Sequence, residues 1–191
     1  MPTAIRATRA RVPLEHRSTP LLRLVSTWSR RRYGAVLEPG LALFHNRRVL
    51  RSVMSFERSV EKWSSLDADL KDLATAAVSA RIGCSWCMDF GYYLSRNRGM
   101  DPAKLESLPD WRSSDVYSPL ERRVLDYAEA MTATPPEVTD EMVAALREDL
   151  SDGQLVELTE MISVENLRSR TNSALGLTSQ GFKDHCEVPT R

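Results

Sequence analysis

The chain carries no net charge, with 26 Lys and Arg against 26 Asp and Glu over 191 residues. No global field therefore draws it to nucleic acid. It has no apolar run of about 18 residues or more, which excludes a membrane-spanning helix of the usual kind. No segment alternates apolar and polar residues in the manner of a half-buried strand, and neither an internal repeat nor a low-complexity tract occurs. Cysteine is scarce: three residues do not make a secreted disulfide scaffold, and a reducing cytoplasm is the expected compartment. There is no second C-x-x-C and no H-x-x-x-H. A zinc site of about four ligands would have to recruit His185, Cys186, His16 and His45 from distant positions, so no metal is expected.

What is present is helical. At 42% hydrophobic the chain is long enough for one sizeable core. From Asn46 to Trp63 the residues Val49, Leu50, Val53, Met54, Phe56 and Val60 recur at three- and four-residue steps, the mark of an amphipathic helix with His45 at its entry. Asp67 can cap a following helix that runs to about Ile82 and ends at Gly83. A helix to Arg98 with Gly99 at its end comes next, then a short one opened by Asp101 and Pro102 and stopped by Pro109. Ser118 and Glu121 form a capping box for a helix to about Thr132, and Pro135 and Pro136 break the chain after it. Thr139 starts a helix to about Leu150. Ser151 and Gln154 form a second capping box for the last long helix, which ends near Gly176. The expected fold class is all-α, antiparallel helices joined by short loops.

The amino-terminal 36 residues differ from the rest, with eight Arg against the single acid Glu15. They read as a basic arm bearing one amphipathic helix in PLLRLVSTWSRRRYG, followed by a domain over residues 37–185 and a tail over 186–191. The composition is also that of a transit peptide or a membrane-surface helix, but no apolar core with a small-residue cleavage site follows. Leu21, Leu22, Leu24, Val25 and Trp28 are expected to pack on the domain or on a partner subunit, with Arg30 to Arg32 solvated.

The chemistry is concentrated in ATAAVSARIGCSWCMDFGYYLSRNRG, residues 74–99, where Cys84 and Cys87 form a C-x-x-C within helical sequence. If Gly83 breaks one helix and another starts at the pair, both sulfurs lie one turn apart on one face. Orphan N–H groups at the helix start then favour a thiolate. Three readings fit the spacing: a redox dithiol, half of a metal site, or buried thiols without chemistry. A thioredoxin motif would follow a β-strand, whereas the segment preceding this pair is Ala-rich and helical.

This block resembles the carboxymuconolactone decarboxylase superfamily, whose alkylhydroperoxidase D-like members carry Glu, eleven residues, C-x-x-C, three residues and His. Cys84 and Cys87 match. The position of the Glu holds Asp72, a shorter carboxylate, and that of the His holds Gly91, which has no side chain. The resemblance extends through SPLERRVLDYAEAMT and LVELTEMISVENLRSRTNSALG, and so over roughly Leu41 to Gln180. It implies an alkylhydroperoxidase D-like helical bundle with the C-x-x-C at a helix N-terminus, a homo-oligomer, and no organic cofactor. It also implies a thiol-dependent hydroperoxide reductase or disulfide oxidoreductase served by an outside thiol reductant, with Cys87 attacking and Cys84 exchanging. A cofactor-free lactone decarboxylase and a non-catalytic oligomeric relative are the alternatives.

The absent imidazole matters in magnitude. Lowering a thiol from 8.5 to about 6.5 raises the thiolate fraction at neutral pH from roughly 3% to roughly 75%. Lost nucleophilicity gives back most of that gain. A placed general acid is worth about 10² to 10⁴, and Gly91 supplies none. Glu165 is the candidate replacement, because Leu158, Ile162, Glu165, Ser169 and Asn172 share one face of the last helix, so a carboxylate follows an apolar stripe into the core. Buried unpaired it would cost several kcal/mol, so Arg168, Arg170 or Asn172 should lie near it, or its pKa should be raised. Its bland reading is a structural ion-pair network. Asp89 is a further candidate, although about 200° around the helix from Cys87 it is expected to face elsewhere. Trp86 and Tyr92 read as packing residues.

Overall fold

A computed structural model describes residues 10–185. The tail from Cys186 onward lies outside the described residues, so Cys186 and the side chain of His185, two of the ligands a zinc site would have had to recruit, meet no geometry. Among the described residues there are helices and no strand: α1 Pro20–Tyr33, α2 Glu38–Leu43, α3 Arg47–Val60, α4 Ala68–Ile82, α5 Ser85–Arg98, α6 Pro102–Glu106, α7 Pro119–Thr132, α8 Asp140–Arg147 and α9 Asp152–Ala174. Short 3₁₀ turns follow α6 at Leu108–Asp110 and close the described chain at Lys183–His185. The all-α class is as expected from the sequence.

Two compact units divide the chain. One holds the residues up to Lys62 together with Ala174–Leu177, and the other holds Trp63–Ser173 and the residues from Thr178 on. This division falls well beyond the expected boundary at residue 36. Hydrogen bonds tie the arm to α2 and to the entry of α3: His16 Nε2 donates to the Leu41 carbonyl and His45 Nε2 to the Pro13 carbonyl, each at 2.7 Å.

In the first unit α1 starts at Thr19, whose hydroxyl accepts the Leu22 N–H at 3.2 Å, and ends at Gly34 in the left-handed region. Leu24 and Trp28 remain 68% and 51% exposed. The six-residue α2 has no counterpart in the expected elements, being too short to show a period. Asn46, not His45, is the entry residue of α3, accepting the N–H groups of Arg48 and Val49. That helix ends at Val60, three residues before the expected Trp63.

The second unit is built on α4, which packs against α5 and α7. Its sequence is apolar on several sides, and Leu70, Leu73, Ala74, Ala77 and Val78 are all buried, meeting Val124, Leu125 and Ala128 of α7 with Leu158 and Ile162 of α9 in one core. Asp67 caps α4 as expected, accepting from Asp69 N at 2.9 Å. Both capping boxes form, Ser118 with Glu121 and Ser151 with Gln154.

Candidate functional site

Gly83 sets the joint between α4 and α5. Its φ of 75° is open to glycine at little cost, and it turns the chain so that the Cys84 N–H reaches back to the Ser79 carbonyl at 3.0 Å. Cys84 is then the N-cap of α5, and its sulfur accepts the Cys87 N–H at 3.2 Å. The two helices run back along one another from this joint: Ser79 sits at the level of the cysteines, and Arg98 in the last turn of α5 reaches Asp72 in the first half of α4.

A disulfide joins Cys84 to Cys87, with Cα atoms 5.3 Å apart. Cys84 is sealed at 1% exposure. Cys87, at 7%, lines a cavity of about 360 Å³. Asp72, Ser79 and Thr75 of α4, Gly91 and Tyr92 of α5, and Glu165 of α9 line the same cavity, with Leu105, Leu108 and Pro109 supplying apolar wall. A Cβ at Gly91 would meet no heavy atom within 4 Å, so no neighbouring helix passes close above it.

The carboxyl groups named from the sequence meet different surroundings. Glu165 is buried, as its register requires, and burial pushes its pKa above the ordinary 4.5 against the opposing pull of Arg168, Ser169 and Ser79. Its Oε1 receives the Ser169 hydroxyl at 2.7 Å and lies 2.9 Å from the Ser79 hydroxyl, while Arg168 Nη1 stands 3.5 Å from Oε2. Asp72 is buried and its pKa is likewise raised by burial, opposed by the Arg98 guanidinium, which engages both carboxyl oxygens, Nε to Oδ2 at 3.0 Å and Nη2 to Oδ1. Asp89 also lines the cavity, but its oxygens are taken by backbone: Gly181 and Phe182 N–H on Oδ2 at 2.8 and 3.1 Å, and Lys183 N–H on Oδ1 at 2.7 Å. Its role is to fasten the segment after α9 onto α5.

Trp86 is buried, its ring tilted 34° against that of Phe90 with centroids 4.9 Å apart, and it donates through Nε1 to the Gln180 side chain at 2.8 Å. Tyr92 lies under the Lys183 ammonium, 4.6 Å from its ring centroid. Among the described residues no group of three or more His, Cys, Asp or Glu side chains could hold a metal ion, and no helix is long and apolar enough to cross a membrane.

Several residues of the site are not evident from the sequence. Ser79 and Arg98 are not singled out there, and Asn172, expected beside Glu165, instead donates its amide N–H to the Cys87 sulfur at 3.4 Å. One signal is available: Asp72, Thr75 and Ser79 fall at three- and four-residue steps, a polar line along an otherwise Ala- and Leu-rich helix. Nothing local marks Arg98.

A helical unit with a C-x-x-C disulfide at the head of a helix and a cavity beside its second cysteine defines an alkylhydroperoxidase D-like fold. The chain belongs to the carboxymuconolactone decarboxylase family, whose pattern matches residues 47–130. The uncharacterized protein YnjA of Escherichia coli (strain K12) is 34% identical over 177 residues, covering 90% of this chain and 94% of that protein. An alkylhydroperoxidase AhpD core, an uncharacterized peroxidase-related protein from Ralstonia eutropha JMP134, superposes with a TM-score of 0.82 at 20% identity over 95% of this chain and 98% of its own. ATU0492 from Agrobacterium tumefaciens, a protein of unknown function, gives a TM-score of 0.66 at 26% identity over 70% of this chain and 92% of its own.

Proposed function

We propose that this chain is a thiol-dependent hydroperoxide reductase in which Cys84 and Cys87 form the redox pair. The observation that carries this reading is the asymmetry of the two sulfurs: both belong to one disulfide, but Cys87 opens onto a cavity and Cys84 is sealed beneath the helix start. In the reduced state the Cys87 thiolate attacks the terminal oxygen of a hydroperoxide. An S–O bond forms, the O–O bond breaks, the sulfur is oxidised to a sulfenic acid, and the organic oxygen leaves as an alcohol once protonated. The Cys84 thiol then displaces water from Cys87 to give the disulfide, which an outside thiol reduces by exchange. The alkylhydroperoxidase core of the Ralstonia relative accords with this assignment. No metal or organic cofactor enters these steps, and a reducing cytoplasm would supply the thiol.

A lactone decarboxylase suits the cavity less well. Asp89 and Asp184 line it, Lys183 is the one cation among its described lining residues, and the nearby Arg98 guanidinium is already engaged by Asp72, a poor setting for an anionic lactone.

The test uses the Cys186→Ser variant, so that only the pair can react. Reduced protein treated with one equivalent of an alkyl hydroperoxide should lose two hydrogens by intact mass and both titratable thiols, and a small dithiol should restore them. A pair that stays reduced under these conditions sinks the proposal and leaves a non-catalytic member of the family.

A further inference from the structure

Four carboxyl groups line the Cys87 cavity, and they differ in what a proton placed on them would meet. Both Asp72 oxygens accept guanidinium N–H groups from Arg98. Both Asp89 oxygens accept backbone N–H groups from residues 181–183. The backbone N–H groups at Asp89 are donors and cannot accept a proton from it, and at Asp72 the Ser95 hydroxyl is accompanied by the charged Arg98 guanidinium on both oxygens, which opposes protonation there. Asp184 is exposed to bulk water.

Glu165 is different. The groups at its Oε1 are two hydroxyls, Ser169 at 2.7 Å and Ser79 at 2.9 Å, and a hydroxyl donates or accepts as required. Ser79 also has the Thr75 carbonyl 2.8 Å away, so it can turn its proton there and receive one from Glu165. The carboxyl is thus satisfied in both protonation states without moving a heavy atom. Its charged partner, Arg168, stands at 3.5 Å, the outer edge of hydrogen-bond range. On α5, one turn beyond Cys87, Gly91 leaves open space and offers no acid.

We infer that Glu165 is the proton donor of the reduction proposed above, serving the departing oxygen from α9 because the acid of the cysteine helix, Asp89, is held by backbone N–H groups. The inference rests on that reaction and adds one group to it. As the Cys87 thiolate forms its bond to the terminal oxygen and the O–O bond breaks, the leaving alkoxide takes the Glu165 proton and departs as the alcohol. Glu165 is left as a carboxylate, with the Ser79 hydroxyl turning back from Thr75 to donate to it. The next thiol proton removed on forming the Cys87 thiolate restores the acid.

The experiment varies how much the leaving group needs that proton. Wild type, Glu165→Gln and Ser79→Ala, each in the Cys186→Ser background, are reduced and oxidised in stopped flow by tert-butyl hydroperoxide and by peracetic acid, whose leaving acetate needs no proton. Glu165→Gln should slow oxidation by the alkyl hydroperoxide about 10²-fold or more. With peracetic acid, and in alkylation by iodoacetamide, it should differ from wild type by less than about threefold, since neither leaving group calls for general-acid help. Ser79→Ala should show the same dependence on oxidant at several-fold size, and it decides the question if Glu165→Gln does not fold. Equal losses with both oxidants, or no loss with either, would overturn the role of Glu165 while the redox pair stands. A wild type that neither oxidant converts to the disulfide would remove the reaction and the donor together.

Discussion

The Asn172 side chain donates to the Cys87 sulfur at 3.4 Å, across 85 residues of sequence, and both groups are buried. An amide N–H aimed at sulfur favours the thiolate over the thiol, so α9 shapes the reactivity of a residue on α5.

Replacing Asn172 with Leu keeps the branched shape and removes the donor. Hydrogen bonds to charged groups are about twice as strong as neutral ones, so losing this donor should raise the Cys87 thiol pKa in the reduced protein. The pH profile of iodoacetamide alkylation, resolved to Cys87 by peptide mapping, reads this directly. An unshifted profile in a folded variant would show that the contact contributes nothing to the reduced protein.

Gly91 lies in the middle of α5 with no heavy atom within 4 Å of where a Cβ would stand, and its φ is not positive. Gly91→Ala should therefore stabilise the protein by about 0.5 to 1 kcal/mol through lost unfolded-state freedom. For a chain of this size that is a rise of about 1 to 4 °C in Tm. Gly91→His should also fold, placing an imidazole beside Cys87, and it should recover part of the hydroperoxide rate lost in Glu165→Gln. A fall in Tm for the alanine variant would mean the cavity needs to be open there for folding.

Burial, opposed by Arg168, Ser169 and Ser79, holds the Glu165 carboxyl above its ordinary 4.5. The folded chain then binds this proton more tightly than the unfolded chain does. The contribution of Glu165 to stability is fully present in acid and declines as pH rises from about 4.5 through the folded value. Glu165→Gln lacks this titration. Urea unfolding from about pH 4 to about pH 8 should show the wild type losing ground to the glutamine variant as pH rises. The opposite slope would mean that its partners hold Glu165 as a carboxylate.

On α1, Leu21, Leu24 and Trp28 share one face and stay exposed, Leu24 at 68%. We propose that a second copy of this chain covers them, since the three residues form one apolar stripe on a helix whose last turn is Arg30 to Arg32. Sedimentation at micromolar concentration should find a homo-oligomer, and Leu24→Asp with Trp28→Ser should dissociate it with little change in the helical spectrum. A wild type that remains monomeric on concentration rules this out.

The elements that the sequence determined by itself are those held by contacts within a turn of chain. Asp67, Ser118 with Glu121, Ser151 with Gln154, and the glycines at 83 and 99 mark helix ends because each cap bond closes over two to four residues, and the residues that make it stand side by side. The C-x-x-C was legible for the same reason: N-cap and N3 lie within one turn, so the spacing already brings the sulfurs together. The burial of Glu165 followed from its register on a long helix. Tertiary structure alone decided what each carboxyl faces. Arg98 was not foreseen for Asp72, nor Ser79 for Glu165, nor Asn172 for Cys87, and these pairs are separated by 26, 86 and 85 residues. Asp89 has the right charge and stands near the thiols, yet its oxygens are spent on backbone N–H groups more than 90 residues away. Helical periodicity assigns a side chain to a face, but which groups the fold brings to that face depends on how the helices pack, and so does whether a carboxyl there keeps a proton to give.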